Sequence, residues 1–155
     1  MHRSCGSALL PRYINAAFAL AFAALLRMGE FTYPAAALVD RSRFRMEHLT
    51  VPRISLGPDH IVVVLPRSKT DVENRGVTIR IACTWDEACA GTHVEKWLKG
   101  RPPSEWPPLL TPLFDLGTDT PSTRERVLSV LRRRLINVGQ PPSTYARHSF
   151  RRGAA

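Results

Sequence analysis

The chain has 155 residues, enough for one domain with a real core, and 44% hydrophobic against 23% charged residues excludes a disordered polymer. A formal net charge of +9 favours an anionic partner, either nucleic acid or a membrane surface. Lysine occurs only as Lys69, Lys96 and Lys99, so most of the positive charge is arginine, whose planar fork suits bidentate phosphate contacts, although such a bias also fits the nucleotide composition of a gene.

Taken from the start, residues 1–12 read as a ragged segment. Residues 13–26 form the first predicted helix. Ile14, Ala17, Phe18, Ala21, Phe22, Leu25 and Leu26 follow helical spacing and the remaining positions are apolar too, the pattern of a helix buried all round. The apolar run 16–26 follows Arg3 and Arg12, the outline of a secretory signal. It is too short to span a bilayer and runs straight into Arg27-Met28-Gly29-Glu30 without a small-residue cleavage motif, so a buried helix is the expectation.

Three strands come next, over residues 49–56, 60–65 and 77–81. The second carries the β-branched run Ile61-Val62-Val63-Val64, and in the third Val77, Ile79 and Ile81 alternate with Thr78 and Arg80. Residues 66–76 hold Pro, Asp, Asn and Gly and predict a hairpin loop from which Lys69 projects. A short helix is expected over residues 86–98 with Asp86 as its cap, followed by a Pro-rich connector over 100–112. A strong helix starts at Ser122, where Ser122 and Glu125 match a capping box, and stops at Gly139. Its predicted core face is Val127, Leu128, Leu131, Leu135 and Val138. Arg124, Arg126, Arg132, Arg133 and Arg134 take the other face, which fits a solvated surface or contact with a DNA backbone. Ser143 or Thr144 then caps a last helix containing His148 and Arg151. Helix, three strands, then helices argue an α+β domain with an antiparallel sheet.

Cys5, Cys83 and Cys89 are odd in number and irregular in spacing, which suits a reducing compartment better than a disulfide framework. Cys89 and His93 sit four apart with Cys83 nearby, but zinc needs about four ligands and no second pair stands at metal spacing, so no metal is expected.

Three patterns recur in a fixed order: Arg27 and Glu30 after a buried helix, Lys69 in a hairpin loop, and His148 with Arg151 at the start of a late helix. Phosphoryl transfer on DNA gathers negative charge on the non-bridging oxygens, which two arginines can clamp. His148 and Arg151, three apart on a helix, share a face. A lysine on a hairpin can approach a leaving oxygen as a proton donor. Each pattern alone is common by chance.

In this order they resemble the catalytic domain of the tyrosine recombinases, the phage-integrase family, and most of all the branch found in fungal mobile elements. The matching stretches are Ala21-Phe22-Ala23-Ala24-Leu25-Leu26-Arg27-Met28-Gly29-Glu30-Phe31, Leu65-Pro66-Arg67-Ser68-Lys69-Thr70-Asp71 and His148-Ser149-Phe150-Arg151-Arg152-Gly153-Ala154-Ala155. The resemblance runs from residue 13 to the end. It implies a mostly helical, integrase-like α+β domain with a small three-stranded antiparallel sheet. It implies that Arg27 and Arg151 bind the scissile phosphate with His148, that Glu30 buttresses Arg27, and that Lys69 is the general acid for the 5′ leaving oxygen. Arg67, Arg124, Arg132, Arg133 and Arg152 are the accompanying candidates for DNA-backbone contact.

The family uses no metal or nucleotide cofactor, and its partner is double-stranded DNA. Its activity implies DNA recombination and integration in the nucleus, away from membranes. The departure is at the end. The family places a further His or Trp and then the attacking tyrosine after Arg151, whereas Tyr13, Tyr33 and Tyr145 all precede it. The family's N-terminal DNA-clamping domain also has no counterpart here. Residues 13–155 are therefore expected to be a partial catalytic domain, inactive by itself, that self-associates or is completed by another recombinase chain. The alternatives are a non-catalytic DNA-binding remnant and a basic secreted or membrane-associated protein.

Overall fold

The computed structural model describes residues 6–39, 48–66, 73, 75–115 and 123–144. Helix α1 (Gly6–Ala23) is followed by the short turns α2 (Met28–Phe31) and α3 (Ala35–Val39), then β1 (Ile54–Leu56), β2 (His60–Leu65), β3 (Val77–Ala82), α4 (Ala90–Gly100) and α5 (Arg124–Asn137). This is an α+β fold with a three-stranded antiparallel sheet in the order β1-β2-β3, as the sequence predicts.

The sheet follows from side-chain alternation. Ile61, Val63 and Leu65 are buried, and the register sets Ile61 opposite Ile81, Val63 opposite Ile79 and Leu65 opposite Val77. One face is therefore an aliphatic layer turned to the core, where a branched side chain fits the pleat. The predicted first strand is longer than the real one. Residues 51–53 form a 3₁₀ turn instead, because Pro52 has no N–H for a ladder, and Thr50 pairs in isolation with Pro112.

Helix α1 differs from its prediction at both ends. The segment expected to be ragged is helical from Gly6, with Pro11 inside the helix. Burial of Tyr13, Ile14, Ala16, Ala17, Leu20 and Ala21 just downstream anchors it despite the hydrogen bond that proline removes. It stops at Ala23 because Leu25 adopts φ 55°, and the N–H groups of Leu25 and Leu26 turn back to the carbonyls of Phe22 (3.3 Å) and Ala21 (2.8 Å). This is a Schellman ending with leucine where glycine is usual. Nor is the helix buried all round: Phe22 and Ala23 are exposed.

The core forms where α1 packs on α4. The Tyr13 ring lies between Trp97 (5.8 Å between centroids) and Phe114 (6.0 Å), and Trp97 Nε1–H donates to the Leu113 carbonyl at 2.6 Å. Tyr33 ties in the connecting segments, donating its hydroxyl to the Leu49 carbonyl (2.6 Å) and accepting from Phe114 N–H (3.3 Å).

Helix α4 begins four residues later than predicted. Asp86 caps no helix; its carboxylate accepts from Ala88 N–H (3.0 Å) and the Thr84 hydroxyl (2.8 Å), closing a local turn that delays the start to Ala90. Helix α5 is capped by Thr123 rather than by Ser122, which lies outside the described residues. The Thr123 hydroxyl accepts from Arg126 N–H at 3.4 Å. Its stop is where the sequence places it: Gly139 takes φ 74°, and Gln140 N–H reaches the Leu135 carbonyl at 2.8 Å. Its core face is narrower than predicted. Val127 is buried and Leu128 and Val130 pack partly on the core, while Val138 is 69% exposed. Arg134, expected on the outer face, turns inward, donating to Asn15 Oδ1 at 2.9 Å with its guanidinium over the Phe18 ring. The predicted last helix lies beyond the described residues, after a 3₁₀ turn over Pro142–Thr144.

Candidate nucleic-acid interface

The Arg27–Glu30 turn is built by its neighbours. Leu26, Met28 and Phe31 are buried, which pins the backbone and leaves the Arg27 side chain at the half-exposed edge. Glu30 Oε2 accepts from Arg27 N–H at 2.7 Å, and Glu30 N–H returns a bond to the Arg27 carbonyl at 2.9 Å. The acidic residue thus fixes residue 27 through its backbone, leaving the guanidinium uncommitted to it. Among the described residues neither Arg27, Arg124, Arg132 nor Arg133 takes part in an ion pair.

Helix α5 brings a second cation to the same turn. A methyl group placed on Gly29 would lie 3.4 Å from Arg124 Nη2, an ordinary contact distance, which puts that guanidinium beside the turn. Arg124 and Gly29 border a cleft of about 670 Å³, together with Thr32, Tyr33, His48 and Glu125. His48 stands edge-on to the Tyr33 ring at 5.9 Å. Nothing in the sequence marked His48, an isolated histidine in a connecting segment. On the same helix, Arg126 Nε is buried without a hydrogen-bond partner among the described residues, while Arg132 and Arg133 are exposed.

A second cleft of about 570 Å³ lies between α1 and α4, bordered by Arg12, Asn15, His93, Lys96, Lys99 and Gly100. Arg12 crosses close over Gly100, where a methyl would come within 2.8 Å of its Nη1. Glu95 neutralises Lys99 at 2.6 Å, leaving Arg12 and Lys96 as net positive charge. Sequence reasoning did not join these residues into one site, although Lys96 and Lys99 stand three apart and so share a helix face.

Of the predicted site, the structure joins Arg27, Glu30 and Arg124 around one turn and sets Arg132 and Arg133 on the outer side of α5. Lys69, His148 and Arg151, with Arg67 and Arg152, lie outside the described residues, and Lys69 falls in the connection between the paired strands β2 and β3. Tyr13 and Tyr33 are fully buried, and burial pushes the Tyr33 hydroxyl far above the usual phenol range despite the Phe114 N–H bond. Neither is available as a nucleophile. The apolar run 16–26 lies mostly within α1 and lends several residues to the core, and no described helix is long and apolar enough to cross a membrane. Compared with known proteins, the chain matches no family model, no curated protein and no solved structure.

Proposed function

We propose that this protein grips the phosphates of duplex DNA in the manner of a tyrosine recombinase catalytic domain, with Arg27 and Arg124 among the groups in contact. The observation that carries the reading is the seating of Arg124 against the Arg27–Glu30 turn. Arg124, from a distant part of the chain, lies beside Gly29 in the turn that Arg27 opens, and neither arginine forms an ion pair among the described residues. Forks of this kind neutralise non-bridging phosphate oxygens at fixed geometry. The formal charge of +9 supplies long-range attraction, and the cleft with Arg12 and Lys96 offers a further stretch for the backbone. On this reading Lys69, His148 and Arg151 complete the phosphate site.

The test is fluorescence anisotropy of a labelled duplex across a salt series. The native chain should show a steep fall in affinity with salt, as released counterions require. Arg27→Ala and Arg124→Ala should each weaken binding about tenfold, the loss of about 1.4 kcal/mol per charged contact. Arg133→Ala, on the exposed side of α5, should change it by less than about twofold. Equal losses from all three would reduce the site to general basic charge, and salt-insensitive binding would refute it.

A further inference from the structure

Two thiols are brought together at the start of α4. Cys83 follows the last residue of β3, and its N–H donates to the Asp59 carbonyl at 2.7 Å. Cys89 is the N-cap of α4, with the turn around Asp86 folding the chain back between them. Both sulfurs lie over Gly91: a methyl there would come within 2.5 Å of Cys83 Sγ and 3.8 Å of Cys89 Sγ. Only glycine leaves that space. Cys89 is 1% exposed, whereas Cys83 is half-buried and forms the solvent side of the pair.

We infer that Cys83 and Cys89 form a peroxide-sensitive dithiol that closes reversibly to a disulfide across the start of α4. Burial opposes ionisation of Cys89, but hydrogen bonding from Thr92, Trp85 and Thr84 prevails and brings the thiol down to about 6. Burial, followed by the neighbouring Cys89, pushes the Cys83 thiol up. One sulfur is therefore the nucleophile and the other the proton-bearing resolving partner. The Cys89 thiolate attacks one oxygen of a hydroperoxide, the O–O bond breaks, and the departing oxygen takes up a proton, leaving a sulfenic acid on Cys89. Cys83 sulfur then attacks that sulfur, the S–O bond breaks, and water leaves with the Cys83 proton. Two thiols are oxidised by two electrons and the peroxide is reduced. Hydrogen peroxide is the smallest hydroperoxide, which suits a pair whose nucleophilic sulfur is 1% exposed.

The experiment uses the full chain carrying Cys5→Ser, so that these are its only thiols. Treatment with hydrogen peroxide near neutral pH should remove about 2 Da from the intact mass, yield a Cys83–Cys89 cross-linked peptide, and reverse with a dithiol reductant. Oxidation should run at least about tenfold faster in the folded chain than in urea, where the ionised sulfur loses its donors. In Cys83→Ser the sulfenic acid should persist and be captured by a cyclic dione at Cys89. In Cys89→Ser no capture should occur. Cys83→Ala, checked by circular dichroism, repeats the trapping with a substitution that adds no polar group. Capture at Cys83 instead of Cys89, absence of the cross-link, or equal rates in folded and unfolded chain would overturn the inference.

Discussion

Replacing Tyr33 by phenylalanine isolates one oxygen atom on which three segments converge. The ring stays in place, packed edge-on to His48, and only the hydroxyl is lost. That hydroxyl donates to the Leu49 carbonyl at 2.6 Å and accepts from Phe114 N–H at 3.3 Å. The carbonyl keeps a second donor, Leu113 N–H at 3.2 Å, so its loss is partial. The Phe114 N–H lies on a fully buried residue and would face phenylalanine carbon, and a buried donor without an acceptor costs about 1–3 kcal/mol. Adding the weakened bond to Leu49 gives an expected destabilisation of about 2 kcal/mol. Urea unfolding followed by circular dichroism should show a lower midpoint at an unchanged slope, since no additional surface is exposed. A loss below about 0.5 kcal/mol would mean that the hydroxyl does not hold these segments together, and the account of how the cleft beside Arg124 is built would fail.

The same hydroxyl carries a pH signature. Its folded-state value is raised by burial above the ordinary 10.0, so its contribution is fully present below that pH and is lost as alkali deprotonates the unfolded chain first. Stability of the native chain should therefore fall more steeply above about pH 10 than that of Tyr33→Phe, and parallel curves would contradict the assignment. At the end of α1, Leu25→Gly relieves a left-handed leucine. It should raise stability by up to about 1 kcal/mol in thermal unfolding, after the entropy glycine adds to the unfolded chain. Gly139→Ala is the converse test. No atom lies within 4 Å of the added methyl, so the expected loss of about 1 kcal/mol comes from the positive φ alone, and a neutral result would show that the ending of α5 is not fixed by that residue.

The fold class and the two long strands were legible because branched residues alternate over β2 and β3, and one-sided burial leaves a single register. Gly139 was legible for a similar reason, since a glycine after a helical pattern has few other uses. Helix beginnings were not. Pro11 reads locally as a break, whereas burial of the residues after it sustains the helix on both sides. Asp86 has the chemistry of a cap, yet its carboxylate is used two residues on. The inward turn of Arg134 depends on Asn15 and Phe18, more than a hundred residues earlier, a relation no local pattern encodes. At the candidate site, Arg27 with Glu30 could be picked out from their order along the chain. His48, Arg12 and Lys96 become visible only once folding places them beside arginine and lysine side chains.

Arg134 has a consequence for how the surface charge is to be counted. Its guanidinium is occupied by an amide oxygen and an aromatic ring, neither of which carries a charge that small ions could screen. Salt that strips a polyanion from Arg124 should leave the junction between the first and last described helices intact. The helix therefore offers a ligand fewer positive groups than its sequence contains, and one of them works instead as a salt-tolerant rivet.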